Sequence, residues 1–150
     1  MERILRDDAD SARKGDITLK WFLHSVQLLA IDAQAQIAHF PTDVHVIQEM
    51  VLDYNHWERA VRTYWIFSQE QEARLAVLNS FLNKIWKNNP HNVNPAFWEE
   101  ETLFTDSQWE QVRTLAQAAL ASFGWPVEVP PPAQYIRYVE GIGVVDEIEW

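Results

Sequence analysis

The sequence predicts an all-α protein: a helical bundle of four to five helices with an extended C-terminal tail. Three observations carry this expectation. Four segments repeat apolar residues every three or four positions, cap and stop residues bound those segments, and the composition changes at Pro126. Amphipathic helices joined by short or moderate connections bury their apolar faces against one another, in an up-and-down or irregular bundle.

The first helical pattern places Leu19, Phe22, Val26 and Leu29 on one face, with Asp16 or Thr18 as its cap. Ahead of it, Glu2 to Arg13 is expected to add a short fifth helix. Ile31 to Phe40 reads as a short continuation, restarted at Asp32 and ended by Pro41. Thr42-Asp43 then opens a second long helix running to about Thr63, with Val44, Ile47, Val51, Tyr54 and Val61 among its apolar positions. The apolar run Tyr64-Trp65-Ile66-Phe67 either extends that helix or forms a buried turn.

Ser68 with Gln71 three residues on is a capping box. The helix it starts carries Leu75, Leu78, Leu82 and Ile85, with Phe81 and Trp86 widening the face, and Asn88-Asn89-Pro90 stops it. His91 to Pro95 reads as a loop and Ala96 to Leu103 as a helical turn. Asp106 caps the last helix, whose stripe is Trp109, Val112, Ala116, Ala119, Leu120 and Phe123; Gly124 supplies the left-handed end and Pro126 blocks continuation.

Residues 1–125 are therefore expected to form the bundle, and residues 126–150 a Pro-rich spacer and acidic tail packed on it. Pro130-Pro131-Pro132 is a stiff extended spacer. Gly141-Ile142-Gly143 suits the turn of a small hairpin, although an isolated strand pair is marginal. Gln134 to Trp150 is expected to lie along the bundle or to stay mobile until something binds it.

With 150 residues and a hydrophobic fraction of 47%, the chain can bury a sizeable core. Eight tryptophans imply a wide core, an exposed aromatic patch, or both. The absence of cysteine excludes disulfides, thiolate metal sites and cysteine nucleophiles. Met1 to Gly15 is too charged for the apolar core of a signal peptide, and no stretch reaches the roughly 18 apolar residues of a membrane span, so the expected location is cytoplasmic. Twelve Lys and Arg stand against 22 Asp and Glu, a formal charge of −10. That field repels nucleic acid and anionic membranes and attracts a basic protein.

The sharpest constellation is His45, Glu49, Asp53 and His56, whose offsets of 4, 4 and 3 place them along one helical face. Asp53 to His56 has the acid-x-x-His spacing of di-metal bundles, but no second such motif exists to face it. The plainer reading is a solvated polar face. His24, beside Phe22, Leu23 and Val26, reads as a packed or edge histidine rather than a catalyst. Glu99-Glu100-Glu101 follows Phe97-Trp98; it is either a favourable charge cluster at a helix start or an acidic-aromatic epitope. Glu140, Asp146, Glu147 and Glu149 make the tail acidic, while Val144, Val145, Ile148 and Trp150 need packing partners. Tyr54, Trp57, Trp65, Trp86 and Trp98 read as core rather than as a cofactor pocket, and no cofactor is expected. No GxSxG, phosphate loop, dinucleotide fingerprint or HExxH occurs.

Gly15-Asp16-Ile17-Thr18-Leu19, the Ala38-His39-Phe40-Pro41 turn, and Asp106-Ser107-Gln108-Trp109 with Ala119-Leu120 and Gly124-Trp125-Pro126 resemble stretches of small bacterial helical proteins. In size, acidity and helical build the chain resembles bacterial immunity proteins and antitoxins, which neutralise a basic toxin. The resemblance implies a binding role and carries no contact residues with it.

The leading expectation is thus a non-catalytic module that binds another, basic protein through Trp98, Glu99, Glu100 and Glu101 and through Glu147, Glu149 and Trp150. Two alternatives stand beside it. One is a metal-binding bundle, with or without enzyme activity, built on His45, Glu49, Asp53 and His56. The other is a structural homodimer or larger homo-oligomer, packing surplus aromatics across a twofold axis.

Overall fold

The computed structural model describes residues 1–4 and 9–131 together with the backbone of residues 138–139 and 143–144. Among the described residues four long helices form an all-α bundle: α1 (Ala9–Ala30), α3 (Val46–Val61), α4 (Gln69–Asn88) and α6 (Ser107–Phe123). Shorter pieces join them: α2 (Ala33–Ala38), a 3₁₀ turn (Pro95–Trp98) and α5 (Thr102–Thr105). Helix α1 packs on both α3 and α6, and α6 packs on α4. The ring of Phe123 meets Phe22 while Gln117 reaches the Ala30 carbonyl, so α6 runs antiparallel to α1. Tyr54 on α3 donates to Asn79 Oδ1 on α4 at 2.7 Å, which ties the two outer helices together.

The periodic residues fill the core as expected. Phe22, Val26, Leu29, Ile47, Val51, Tyr54, Val61, Leu75, Leu78, Leu82, Ile85, Trp109, Val112, Ala116, Ala119 and Leu120 are all buried. Phe22 is the hub, with Tyr54, Phe67, Phe123 and Trp125 arranged around its ring at centroid separations of 5.7–6.3 Å. Burial of large rings at this density is the main stabilising term of the bundle.

Helix α1 begins earlier than expected. Asp16 and Thr18 are not caps; they lie two turns inside a helix that starts at Ala9. Thr18 Oγ1 donates back to the carbonyls of Lys14 and Gly15 at 2.8 and 3.0 Å. The separate helix expected over Glu2 to Arg13 is absent: Ala9 to Arg13 belong to α1, and Glu2–Arg3 is a strand, β1. Its partner is β2, Trp65–Ile66, paired antiparallel with Glu2 opposite Ile66 and Arg3 opposite Trp65. The Tyr64 to Phe67 run therefore neither extends α3 nor forms a buried turn. The α1 backbone closes against it: Trp65 Nε1 donates to the Gly15 carbonyl at 2.9 Å, and Arg3 binds the Ala12 carbonyl, pairs with Asp16 and lies over the Trp65 ring. Gly15 eases this approach, since a Cβ there would crowd Tyr64 Cβ at 3.2 Å.

The remaining boundaries follow local chemistry. Asp32 accepts from the Ala35 N–H and caps α2. Ser68 and Gln71 form the expected capping box. Asp106 accepts from the Gln108 N–H at the start of α6, and Gly124 ends it at φ 71°. Only α3 departs, opening after His45 rather than at Thr42-Asp43, with no side-chain bond at its cap. Beyond α6, Pro126 accepts from Gln27 Nε2 at 3.2 Å and Pro130 is buried. Tyr138–Val139 (β3) pairs antiparallel with Gly143–Val144 (β4), so Gly143 belongs to a strand; the rest of the expected Gly141-Ile142-Gly143 turn lies outside the described residues. The expected packing of the tail on the bundle lies outside the described residues. No described helix is long and apolar enough to cross a membrane.

Candidate functional site

Between Asn88 and Val112 the chain carries Glu99, Glu100, Glu101, Asp106 and Glu110 and no Lys or Arg. The connection from α4 to α6 that presents these acids is internally braced. Asn89 Nδ2 donates to the Ile85 carbonyl at 2.9 Å, and Asn94 Nδ2 donates to Asn89 Oδ1 at 2.9 Å. Trp98 Nε1 donates to the Asn89 carbonyl at 2.7 Å. The Trp98 indole stacks on His91 at 4.5 Å, and Phe97 stacks on Trp109 at 5.4 Å, which fastens the loop to α6.

Trp98 is consequently a core residue, 8% exposed, and not the aromatic of an epitope. A buried indole needs an acceptor, and the Asn89 carbonyl at the end of α4 supplies one. The three glutamates do not open a long helix either. Glu99 is exposed at the end of the 3₁₀ turn, Glu100 is half-buried, and Glu101 is exposed ahead of the four-residue α5, with no capping bond from its side chain. Thr102 fixes this corner by donating to the Phe97 and Glu99 carbonyls at 2.6 and 2.9 Å.

The exposed ring beside these acids is Phe104, at 59%. It lies three and four positions after Glu101 and Glu100, and Phe104 N–H donates to the Glu101 carbonyl at 3.1 Å. Its neighbour Leu103 is wholly buried and pins α5 to the bundle. Adjacent residues on a helix point about 100° apart, and here Leu103 faces the core while Phe104 faces outward. The result is a hydrogen-bonded corner bearing an aromatic ring, with Glu99 and Glu101 exposed on the same connection and Glu110 exposed in the first turn of α6. Glu147, Glu149 and Trp150, the other expected contact residues, lie outside the described residues.

The candidate metal ligands do not converge. His45 is the exposed residue before α3, Glu49 is half-buried, Asp53 is buried, and His56 is exposed with its ring edge-on to Trp57 at 4.6 Å. Among the described residues no three His, Asp or Glu side chains gather closely enough to hold a metal ion. The spacing of the four positions spreads them over about 16 Å at helical rise, and a single ion needs ligands from a facing helix to close its shell. The arrangement of these four side chains therefore gives the metal-binding reading no support.

Of the aromatics weighed as a cofactor pocket, Tyr54 and Trp57 are buried, Trp65 is half-buried in its bond to Gly15, and Trp86 is substantially exposed. His24 is half-buried and edge-on to Trp21, with Nδ1 enclosed and without a hydrogen-bond partner. Burial, with Lys20 and His39 nearby, pushes its pKa down to about 4. A shallow groove of about 410 Å³ runs between α4 and α6, walled by Val77, Phe81 and Leu115 with Lys84 and Gln111 at its rim. Comparison of the chain with protein-family models, with curated proteins and with solved structures found no match.

Proposed function

We propose that this protein is a non-catalytic module that binds a basic partner protein, with the α4–α6 connection as its contact surface. The observation that carries the proposal is the pairing of an exposed phenylalanine, Phe104, with a base-free acidic stretch on a braced backbone. Interfaces concentrate their affinity in a few aromatic anchors, while surrounding charge sets partner choice and association rate. A loop already held by Trp98, Asn89 and Thr102 loses little conformational entropy on binding, which favours affinity. The formal charge of −10 adds long-range attraction for a cationic protein.

An immunity protein or antitoxin acting in the cytoplasm on a basic toxin is the form of this role that the small size, acidity and helical build support. The test is capture of partners by the tagged protein from extract of its own host at low salt. The reading expects a near-stoichiometric basic protein that dissociates as salt rises. Charge reversal of Glu99, Glu100 and Glu101 to lysine is expected to abolish that capture. Retention of every partner by the reversed variant would remove this surface from the account.

A further inference from the structure

Trp86, in the last turn of α4, is the tryptophan that the bundle leaves in water. It is 46% exposed, whereas the other six tryptophans among the described residues are buried or half-buried. Its indole is nevertheless held in place. It meets Trp98 at 5.0 Å and His91 at 5.5 Å, inclined to them by 68° and 67°. Those two rings are themselves fixed. They stack on each other at 4.5 Å, Trp98 donates to the Asn89 carbonyl, and Gln48 Nε2 on α3 donates to His91 Nε2 at 3.2 Å. An exposed indole braced in this way loses little side-chain freedom when something covers it, and tryptophan is a preferred interface anchor.

The fold shows what covers a ring in this chain. Arg3 lies over Trp65 at 4.6 Å, Arg62 over Phe67 at 5.1 Å and Lys20 over Trp21 at 5.5 Å. Trp86 has no such cation among the described residues. Lys84 and Lys87 are its near neighbours on α4, but at about 100° per residue they leave the helix on other sides. A carboxylate stands beside it instead. Exposed Glu99 directly follows Trp98, the ring that Trp86 touches, and opens the base-free acidic stretch.

An indole beside a carboxylate suits a cation, and a guanidinium better than an ammonium: it is planar, weakly hydrated, and both stacks on rings and pairs with carboxylates. We propose that Trp86 is an arginine-binding site, at which the indole receives a guanidinium of the partner and Glu99 supplies the neighbouring negative charge. The inference rests on the basic-partner reading and adds the side chain that the partner must offer. It also extends the contact surface from the Phe104 corner back to the last turn of α4.

The test uses two probes, acetylated tetra-arginine and tetra-lysine amides, titrated at low salt against the full chain, Trp86→Leu and Trp86→Tyr. Leucine keeps apolar bulk against Trp98 and removes the ring face; tyrosine restores one. The site predicts that tetra-arginine binds the wild type more tightly than tetra-lysine and shifts the assigned Trp86 indole N–H resonance. Trp86→Leu is expected to lose about two- to fivefold in tetra-arginine affinity and most of the preference over lysine, and Trp86→Tyr to regain part of both. Equal tetra-arginine affinity of the wild type and Trp86→Leu, or no arginine preference in the wild type, overturns it. Should Trp86→Leu not fold, the wild-type resonance decides: a larger shift with tetra-arginine than with tetra-lysine supports the site, and no shift contradicts it. The two proposals fail separately. A captured basic protein held equally by the wild type and Trp86→Leu overturns the arginine site and leaves the basic-partner reading standing. Trp86-dependent peptide binding with no basic protein captured supports the site and counts against that reading.

Discussion

Trp98 donates its indole N–H to the backbone carbonyl of Asn89 at 2.7 Å, and both residues are buried. This bond returns the chain to the end of α4 nine residues after leaving it, so it sets where Glu99 and everything after it emerge. Trp98→Phe keeps most of the ring and removes the donor. It is expected to destabilise the protein by about 1–3 kcal/mol, the cost of an unpaired buried carbonyl, read as a lower denaturant midpoint at unchanged slope. An unaltered midpoint would show that the bond does not organise the loop.

Gly124 ends α6 at φ 71° with nothing within 4 Å of where a Cβ would stand. Gly124→Ala therefore tests backbone conformation free of any clash. The left-handed geometry alone should cost roughly 1–2 kcal/mol in chemical denaturation.

Gly15 gives the opposite case, a helical glycine without positive φ whose missing Cβ leaves room for Tyr64. Helix propensity alone would reward Gly15→Ala by about 1 kcal/mol. Crowding against Tyr64 Cβ is expected to cancel that gain, and Gly15→Val should cost about 1–3 kcal/mol by pushing β2 off α1. A clear rise in thermal midpoint for Gly15→Ala would mean that Tyr64 yields freely.

Tyr54 supplies a test at alkaline pH. Burial, with Glu58 adding to it and Arg62 opposing it, holds the phenol well above its ordinary value of 10. The fold favours the protonated phenol, so stability is fully present below pH 10 and is lost as pH rises beyond it. Tyr54→Phe removes the bond to Asn79, costing about 1 kcal/mol near neutrality, yet should show a shallower loss of stability above pH 10. Parallel curves for the two proteins would contradict this.

What was legible in the sequence was local. The Ser68–Gln71 box, the Asp32 and Asp106 caps and the Gly124 stop each depend on residues within a few positions, and each stands where expected. The continuity of α1 through Gly15 was not legible, because one helix was expected over Glu2 to Arg13 and another from Asp16 or Thr18, and Tyr64 and Trp65, about 50 positions away, pack where the two join. The β1–β2 pair was hidden for the same reason. The acidic stretch of the candidate site was visible as composition, whereas its aromatic member was misassigned. Whether Trp98 or Phe104 faces water depends on which side of the chain meets Asn89, Trp109 and the core, and spacing within residues 97–104 does not encode that. The His45, Glu49, Asp53 and His56 row was read from spacing alone, whereas His45 falls just before α3, Asp53 is buried and His56 is exposed, and ligand closure depends on the helix opposite.

The central claim is that the Phe104 corner is a binding surface for a basic protein, and one comparison tests it most directly. The captured partner is titrated against the wild type, Phe104→Ser, and a control, Leu52→Ser, which removes an equally exposed apolar side chain from α3. The account predicts that the control binds as the wild type does, while Phe104→Ser weakens binding by at least tenfold, about 1.4 kcal/mol, with its fold intact by circular dichroism. Equal affinity of all three proteins would contradict it.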